Sequence, residues 1–186
     1  MKIVIDTSVI TNPYSFKEIS NSIEGAVNWL IEKLKNNKEI KVYLTPNTLN
    51  EISTFIKIPD IFQKFFRVKT PNRYKVKIPG IVLYNFLSEI RDRINRGLRV
   101  SEKAVREFED KDKAIKYLRE NYRRVMREGI IDSKEDADTI LLAIEQKAIL
   151  STADEGQIKL AMDLGIEIIE PQKFYSLFLW VMILLI

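Results

Sequence analysis

Short apolar, β-branched runs alternate with helix-spaced segments along this chain, and that alternation constrains the fold more than any other feature. Lys2–Ile5 and Lys41–Leu44 read as buried strands, and Ala148–Ser151 and Ile166–Ile169 read as two more. Between them lie segments with one apolar face. In Ser22–Asn36 that face is Ile23, Val27, Leu30, Ile31 and Leu34. Thr45 or Pro46 opens a helix after the second strand, proline being tolerated in a first turn, and Ile58-Pro59 closes it. Ser133 is placed to cap a further helix, with Glu135 and Asp136 in its first turn, where negative charge is favoured. Gln157–Leu164 reads as a helix stopped by Gly165. This order predicts an α/β fold, a three-layer α/β/α domain around a parallel sheet.

One stretch does not fit the alternation. After a turn-rich basic linker at Asn72–Gly80, Ile81–Gly97 reads as one long helix and Ser101 to about Glu128 as another. Ser101 is the expected N-cap of the second, with a break near Asp110–Asp112. Together they predict a helical hairpin over 81–127, inserted between the two parts of the sheet domain, 1–80 and 128–186.

Composition narrows the chemistry. The 186 residues include no Cys and no His, so disulfides, thiolate metal sites and imidazole bases are all excluded. Any metal must sit on oxygen ligands, which favours Mg²⁺ or Mn²⁺. The formal charge is only +4, but Lys57–Lys77 holds seven basic residues and one acidic one, Asp60. Such a stretch suits a polyanion, or is simply a solvated loop. The apolar run Leu177–Ile186 falls short of the ~20 residues that cross a bilayer as a helix. It is expected to pack at a subunit interface, with a membrane-surface anchor as the alternative. No signal peptide is visible, and a cytoplasmic location is expected.

Carboxylates gather where the sheet's functional edge would be. Asp6 directly follows the first strand, and Asp154 lies three residues beyond Ser151. Asp132 and Asp136 are four apart around a helix start, and Glu51 sits in the helix after the second strand. In open parallel sheets ligands bind beyond the carboxyl ends of the strands. Carboxylates brought together there repel one another unless a divalent cation offsets the charge, and a pair of such cations suits phosphodiester hydrolysis. Each acid alone has an ordinary explanation, such as a strand end for Asp6 or a helix dipole for Asp136. Their joint placement favours the catalytic reading. The hydroxyls of Thr7 and Ser8 are expected to support Asp6, and those of Ser151 and Thr152 to support Asp154. Asp138, two residues from Asp136, is either a water-mediated metal contact or a solvent-facing charge.

These segments resemble the ordered motifs of the PIN-domain nucleases. Ile3-Val4-Ile5-Asp6-Thr7-Ser8 is similar to their opening, and Thr48-Leu49-Asn50-Glu51-Ile52 to their second motif. Asp136 followed by Ile140-Leu141-Leu142-Ala143 resembles the third, and Ser151-Thr152-Ala153-Asp154-Glu155-Gly156 the fourth. The chain is most similar to one branch, the minimal protein-only ribonuclease P family, also called HARP and earlier RNA ligase partner proteins. That likeness rests on Asp6 through Pro13, on Glu128 through Asp136 and on the long hairpin between the second and third motifs, and it spans roughly residues 1–170.

The resemblance implies a PIN-like nuclease domain that removes the 5′ leader of precursor tRNA. It implies Asp6, Asp132, Asp136 and Asp154 as metal-binding aspartates, and homodimers that build larger homo-oligomers. It also implies a hairpin that contacts tRNA, for which Arg91, Arg93, Arg96, Arg99, Arg119, Arg123, Arg124 and Arg127 are the candidates. Interspersed Glu89, Asp92, Glu107, Asp110 and Glu120 allow an ordinary ion-paired helix surface instead. The rival functions are a toxin-like PIN endoribonuclease, a non-catalytic RNA-binding protein, and an acid-cluster phosphatase or flap-type DNA nuclease. The length of the hairpin opposes the first, and the intact acidic set opposes the second.

Overall fold

The computed structural model describes residues 1–127 and 133–180. In chain order the elements are β1 (Lys2–Ile5), α1 (Thr7–Thr11), α2 (Pro13–Phe16), α3 (Ile23–Asn36), β2 (Lys41–Leu44), α4 (Pro46–Phe55), α5 (Phe62–Phe65) and β3 (Phe66–Val68). There follow α6 (Gly80–Glu107), α7 (Lys111–Arg127), α8 (Lys134–Gln146), β4 (Ile149–Ser151), α9 (Glu155–Asp163), β5 (Ile168–Ile169) and α10 (Pro171–Trp180). They form two compact units, Met1–Lys77 with Ser133–Ile186, and Ile78–Asp132.

The first unit is an α/β fold whose helices flank a five-stranded, all-parallel sheet of order β3-β2-β1-β4-β5. The chain builds outward from β1 to β3, then returns to lay β4 on the other side of β1. The reversal therefore lies between β1 and β4, the position where such sheets leave a crevice at their carboxyl ends. Ile3 and Ile5 join Val42, Leu44, Leu30, Phe62, Phe66 and Phe174 in one buried cluster. Val4, between them, projects to the opposite face, where Ile140 and Ala143 of α8 are also buried.

The cap expected at Ser133 forms, its side chain accepting from Asp136 N at 3.0 Å, and Thr45 opens its helix by accepting from Thr48 N at 3.1 Å; Ser22 is a further cap, accepting from Gly25 N at 3.0 Å. Several elements depart from the sequence reading, among them the short helices α1, α2 and α5, which it did not contain. β3 is a three-residue strand within the basic stretch, too short to show a period. α9 starts at Glu155 with Asp154 as its cap, ahead of the expected start at Gln157. The apolar terminal run begins as α10, and Phe174, Tyr175 and Phe178 pack into the core of this same chain. The Tyr175 and Phe178 rings lie 6.0 and 6.1 Å from that of Trp29, and the Tyr175 hydroxyl donates to Val9 O at 3.1 Å. Burial pushes the Tyr175 hydroxyl well above its ordinary pKa. Residues 181–186, where the rest of the run falls, lie outside the described residues. Among the described residues no helix is long and apolar enough to cross a membrane.

The second unit is a helix pair. α6 is continuous through Gly97 and Ser101, where the sequence suggested a stop and a restart. Ser101 Oγ donates back to Gly97 O at 3.0 Å, so it is an interior serine and not a cap. Gly97 serves packing: a Cβ there would come within 2.7 Å of the Tyr122 ring on α7. The break falls at Phe108–Asp110, and Asp110 Oδ1 accepts from Asp112 N at 2.9 Å and from Lys113 N at 3.2 Å. Leu83, Leu87, Ile94 and Leu98 remain exposed along α6.

The segment after β3 is clasped onto α8. Lys69 Nζ donates to Glu145 Oε1 at 2.7 Å and the Asn72 N–H to Glu145 Oε2 at 2.9 Å, and these bonds hold the Glu145 carboxyl below the usual glutamate range. Arg73 donates through Nε and Nη2 to the two oxygens of Asp138 at 2.7 and 2.5 Å, and this pairing raises the Arg73 pKa. The basic stretch is thus partly spent on contacts within the unit. Asp138 is only 4 % exposed, so the solvent-facing reading is corrected: both of its oxygens are engaged by Arg73. An unpartnered charge at so buried a position is costly. Arg73→Ala is expected to lower the melting temperature by several degrees, and adding Asp138→Asn should recover part of that loss, as measured by thermal denaturation.

Candidate active site

The site is assembled at the sheet reversal. β1 and β4 run side by side with Ile5 opposite Ser151, and the Asp6 N–H continues the ladder by donating to Ser151 O at 3.0 Å. Asp6 caps α1: its Oδ2 accepts from Ser8 N at 3.1 Å and from Thr152 Oγ1 at 3.4 Å. Asp136 enters from the first turn of α8, where its Oδ2 accepts from Ser133 Oγ at 2.6 Å. The remaining oxygen of each carboxylate meets the same atom. Gln157 Nε2 donates to Asp136 Oδ1 at 2.7 Å and to Asp6 Oδ1 at 3.3 Å. Two acids 130 positions apart in sequence are therefore joined by one amide nitrogen.

Gln157 is 1 % exposed, and its buried Oε1 has no hydrogen-bond partner among the described residues. Sequence reading passed over it, although Asp154-Glu155-Gly156-Gln157 has the spacing of a capping box. In that motif the fourth side chain reaches back to the cap's own N–H. Here the Asp154 N–H donates to Thr152 Oγ1 at 3.0 Å, and the Gln157 side chain is left to reach the two aspartates.

Asp154 caps α9 by accepting from Gln157 N at 2.7 Å, so backbone and side chain of one residue touch three candidate acids. Among the described residues, however, no group of three or more acidic side chains is close enough to hold a metal ion. Asp6 and Asp136 come together as a pair, and Asp132 lies outside the described residues. A pair fits a hard cation in this respect: Mg²⁺ commonly takes one or two carboxylates and completes its shell with water and substrate phosphate. The donor set is all oxygen, and a cation could supply the positive charge that the Gln157 amide supplies in part.

The hydroxyls divide their work differently from the expectation. Thr152 serves both Asp6 and Asp154. Ser8 supports Asp6 through its backbone N–H, while its Oγ accepts from Ala153 N at 3.0 Å and ties the β1 and β4 loops together. The Thr7 hydroxyl turns away from Asp6 and donates to Glu51 Oε2, which brings α4 to the site's edge. Ser151 Oγ is buried with no hydrogen-bond partner among the described residues and does not support Asp154.

On the second unit, Arg91, Arg99, Arg119, Arg123 and Arg124 are exposed, Arg124 donating to Asn121 Oδ1 at 2.9 Å. Arg96 is half-buried. Arg93 is turned inward: its side chain is 12 % exposed and donates to Glu89 Oε1 at 2.9 Å and Met126 O at 3.3 Å. The Arg127 side chain lies outside the described residues.

The chain is similar to known proteins over nearly its whole length. A family model described as PINc domain ribonuclease matches residues 2–181. A protein of Thermodesulfovibrio yellowstonii named RNA-free ribonuclease P is 44% identical over 93% of this chain and 91% of its own. Proteins of the same name from Thermococcus kodakarensis and Pyrococcus furiosus are 38% and 37% identical, over 94% and 95% of this chain and 92% of each of theirs. With a parallel sheet, acids gathered at its reversal and these relatives, the chain belongs to the PINc-domain ribonucleases, within the family of RNA-free ribonuclease P.

Proposed function

We propose that this protein is an RNA-free ribonuclease P, an endoribonuclease that removes the 5′ leader from precursor tRNA. The observation that carries the reading is the meeting of Asp6 and Asp136 on one amide at the sheet reversal, in a chain matched over more than nine-tenths of its length by relatives of that name.

Asp6 and Asp136 are the centre of the metal site, and Asp154 and Asp132 complete it, with Mg²⁺ or Mn²⁺ as the ion. When bound, such ions activate water and offset charge on the scissile phosphate and the leaving 3′ oxygen. The protein's part is orientation. Ser8 N and Thr152 hold one side of Asp6, and Ser133 holds one side of Asp136, so that both acids present their other oxygen to a common point. Such supporting hydrogen bonds fix the orientation of the ligands. Thr7 and Glu51 link α4 to the loop that carries Asp6 and so position it. Asp138 belongs to the Arg73 clasp in this reading and not to the metal site.

The exposed arginines of the helix pair, Arg91, Arg99, Arg119, Arg123 and Arg124, are the proposed tRNA contacts. They reach phosphate and read folded RNA by shape. The exposed row Leu83, Leu87, Ile94 and Leu98 supports assembly into homodimers and larger homo-oligomers, since so much apolar surface on one helix marks an interaction face. A cytoplasmic location goes with the substrate.

The direct test incubates purified protein with Mn²⁺ and labelled precursor tRNA and maps the new 5′ end. Release of the intact leader at one position is expected, and EDTA should abolish it. Scattered cuts would favour a toxin-like ribonuclease. Asp6→Asn and Asp154→Asn should each lower the rate by more than about 100-fold, beyond the loss typical of a mere partner of a metal ligand, with an unchanged circular-dichroism spectrum. Full activity in either variant would remove that residue from the site. Reversing Arg119 and Arg123 to Glu should weaken tRNA binding and reduce its salt dependence by about 0.7–0.9 in logarithmic slope per lost phosphate contact. Binding unchanged at moderate salt would contradict the tRNA role.

A further inference from the structure

The four oxygens of the acid pair are shared out in a telling way. Asp6 Oδ2 accepts from Ser8 N just after it and from Thr152 Oγ1 in the loop after β4, and Asp136 Oδ2 accepts from Ser133 Oγ. Asp6 Oδ1 and Asp136 Oδ1 both face Gln157 Nε2. The amide's orientation is set by that environment, because only its NH₂ end can donate to two carboxylates. Its other end, Oε1, is buried and has no hydrogen-bond partner among the described residues. A side chain that leaves its own acceptor unsatisfied in order to aim its donor at two acids is held there by the acids' charge.

We propose that Gln157 is a neutral placeholder for the cation: its amide keeps Asp6 and Asp136 together in the metal-free protein, and a divalent ion bound by both acids displaces it. Gln157 then sets how tightly the pocket binds metal. The inference deepens the metal-dependent reading above and rests on it. The physical reason is competition. An ion that draws on both Oδ1 atoms must come to where Nε2 stands, so the amide's hydrogen bonds must be given up on binding. Two carboxylates without either partner repel one another. The placeholder thus stabilises the empty pocket and weakens its grip on the ion by the same amount, which is linkage between two occupants of one place. Gln157 is a positioning residue here, since it acts through the two acids and not on substrate.

The experiment has one arm on the unaltered protein and one on two variants. In ¹⁵N-resolved NMR of the wild type, the Gln157 side-chain NH₂ pair is followed during titration with MgCl₂. It is expected to shift along a saturating curve as the amide leaves the carboxylates. In parallel, Mn²⁺ affinity is measured by electron paramagnetic resonance of the free ion, and melting temperatures are recorded with and without Mn²⁺. Gln157→Leu keeps the bulk and removes the donor, and Gln157→Glu replaces the donor with a third carboxylate. Both should melt lower than wild type without metal, gain more from Mn²⁺ than wild type does, and bind Mn²⁺ about tenfold tighter or more, the worth of one hydrogen bond to a charged group. If both variants bind Mn²⁺ no tighter than wild type, or if the Gln157 NH₂ pair is unmoved at saturating Mg²⁺, the placeholder role is overturned and the metal site stands. If the wild type binds neither ion, the metal-dependent reading falls and takes this one with it.

Discussion

Two carboxylates brought face to face need something positive between them, and in this protein a single amide nitrogen fills that place. Asp6 spends one oxygen on Ser8 N and Thr152, Asp136 spends one on Ser133, and each offers the other to Gln157. Every larger feature of the first unit can be traced to this meeting. Asp6 can be there only because β1 is central and β4 returns beside it. Asp136 can be there only because α8 packs on the face of the sheet to which Val4 projects, with Ser133 fixing its first turn. Gln157 is there because Asp154 starts α9 immediately beyond the β4 loop.

The loops are as constrained as the strands. Thr152 bridges the acid on β1's end and the cap of α9, and Ser8 Oγ receives the Ala153 N–H across the same gap. Three helices thus begin with an acid at or inside the first turn: α1 with Asp6, α8 with Asp136 and α9 with Asp154. Helix starts favour negative charge, so the local folding preference and the gathering of acids at one edge point the same way. The same residues serve both ends, which is why an ordinary structural explanation was available for each acid taken singly.

Much of this was legible from residue order. The parallel α/β core follows from the alternation of Lys2–Ile5, Lys41–Leu44 and Ala148–Ser151 with helices of clear apolar face, and the cap at Ser133 and the helix start at Thr45 were readable as such. What was not legible depends on tertiary partners. Gly97 looked like a helix stop because glycine usually is one near a helix end, but the Tyr122 ring claims the space its side chain would fill. Asp138 looked solvent-facing because its partner, Arg73, is 65 positions away in a segment that reads as a loop. β3 carries no period in three residues and is identified only by its pairing with β2. Gln157 carried a faint local signal, the capping-box spacing, whose usual outcome is pre-empted by Thr152. The apolar end of the chain suggested an interface, and its first part proved to be core.

Asp6 and Asp136 are proposed to hold a divalent cation jointly at the point where Gln157 now stands. Anomalous diffraction from crystals grown in MnCl₂ tests this without relying on turnover. A manganese peak is expected within bonding distance of both carboxylates, with the Gln157 amide withdrawn from between them. Ordered carboxylates with the Gln157 amide still between them and no peak, or a peak only elsewhere on the molecule, would contradict it.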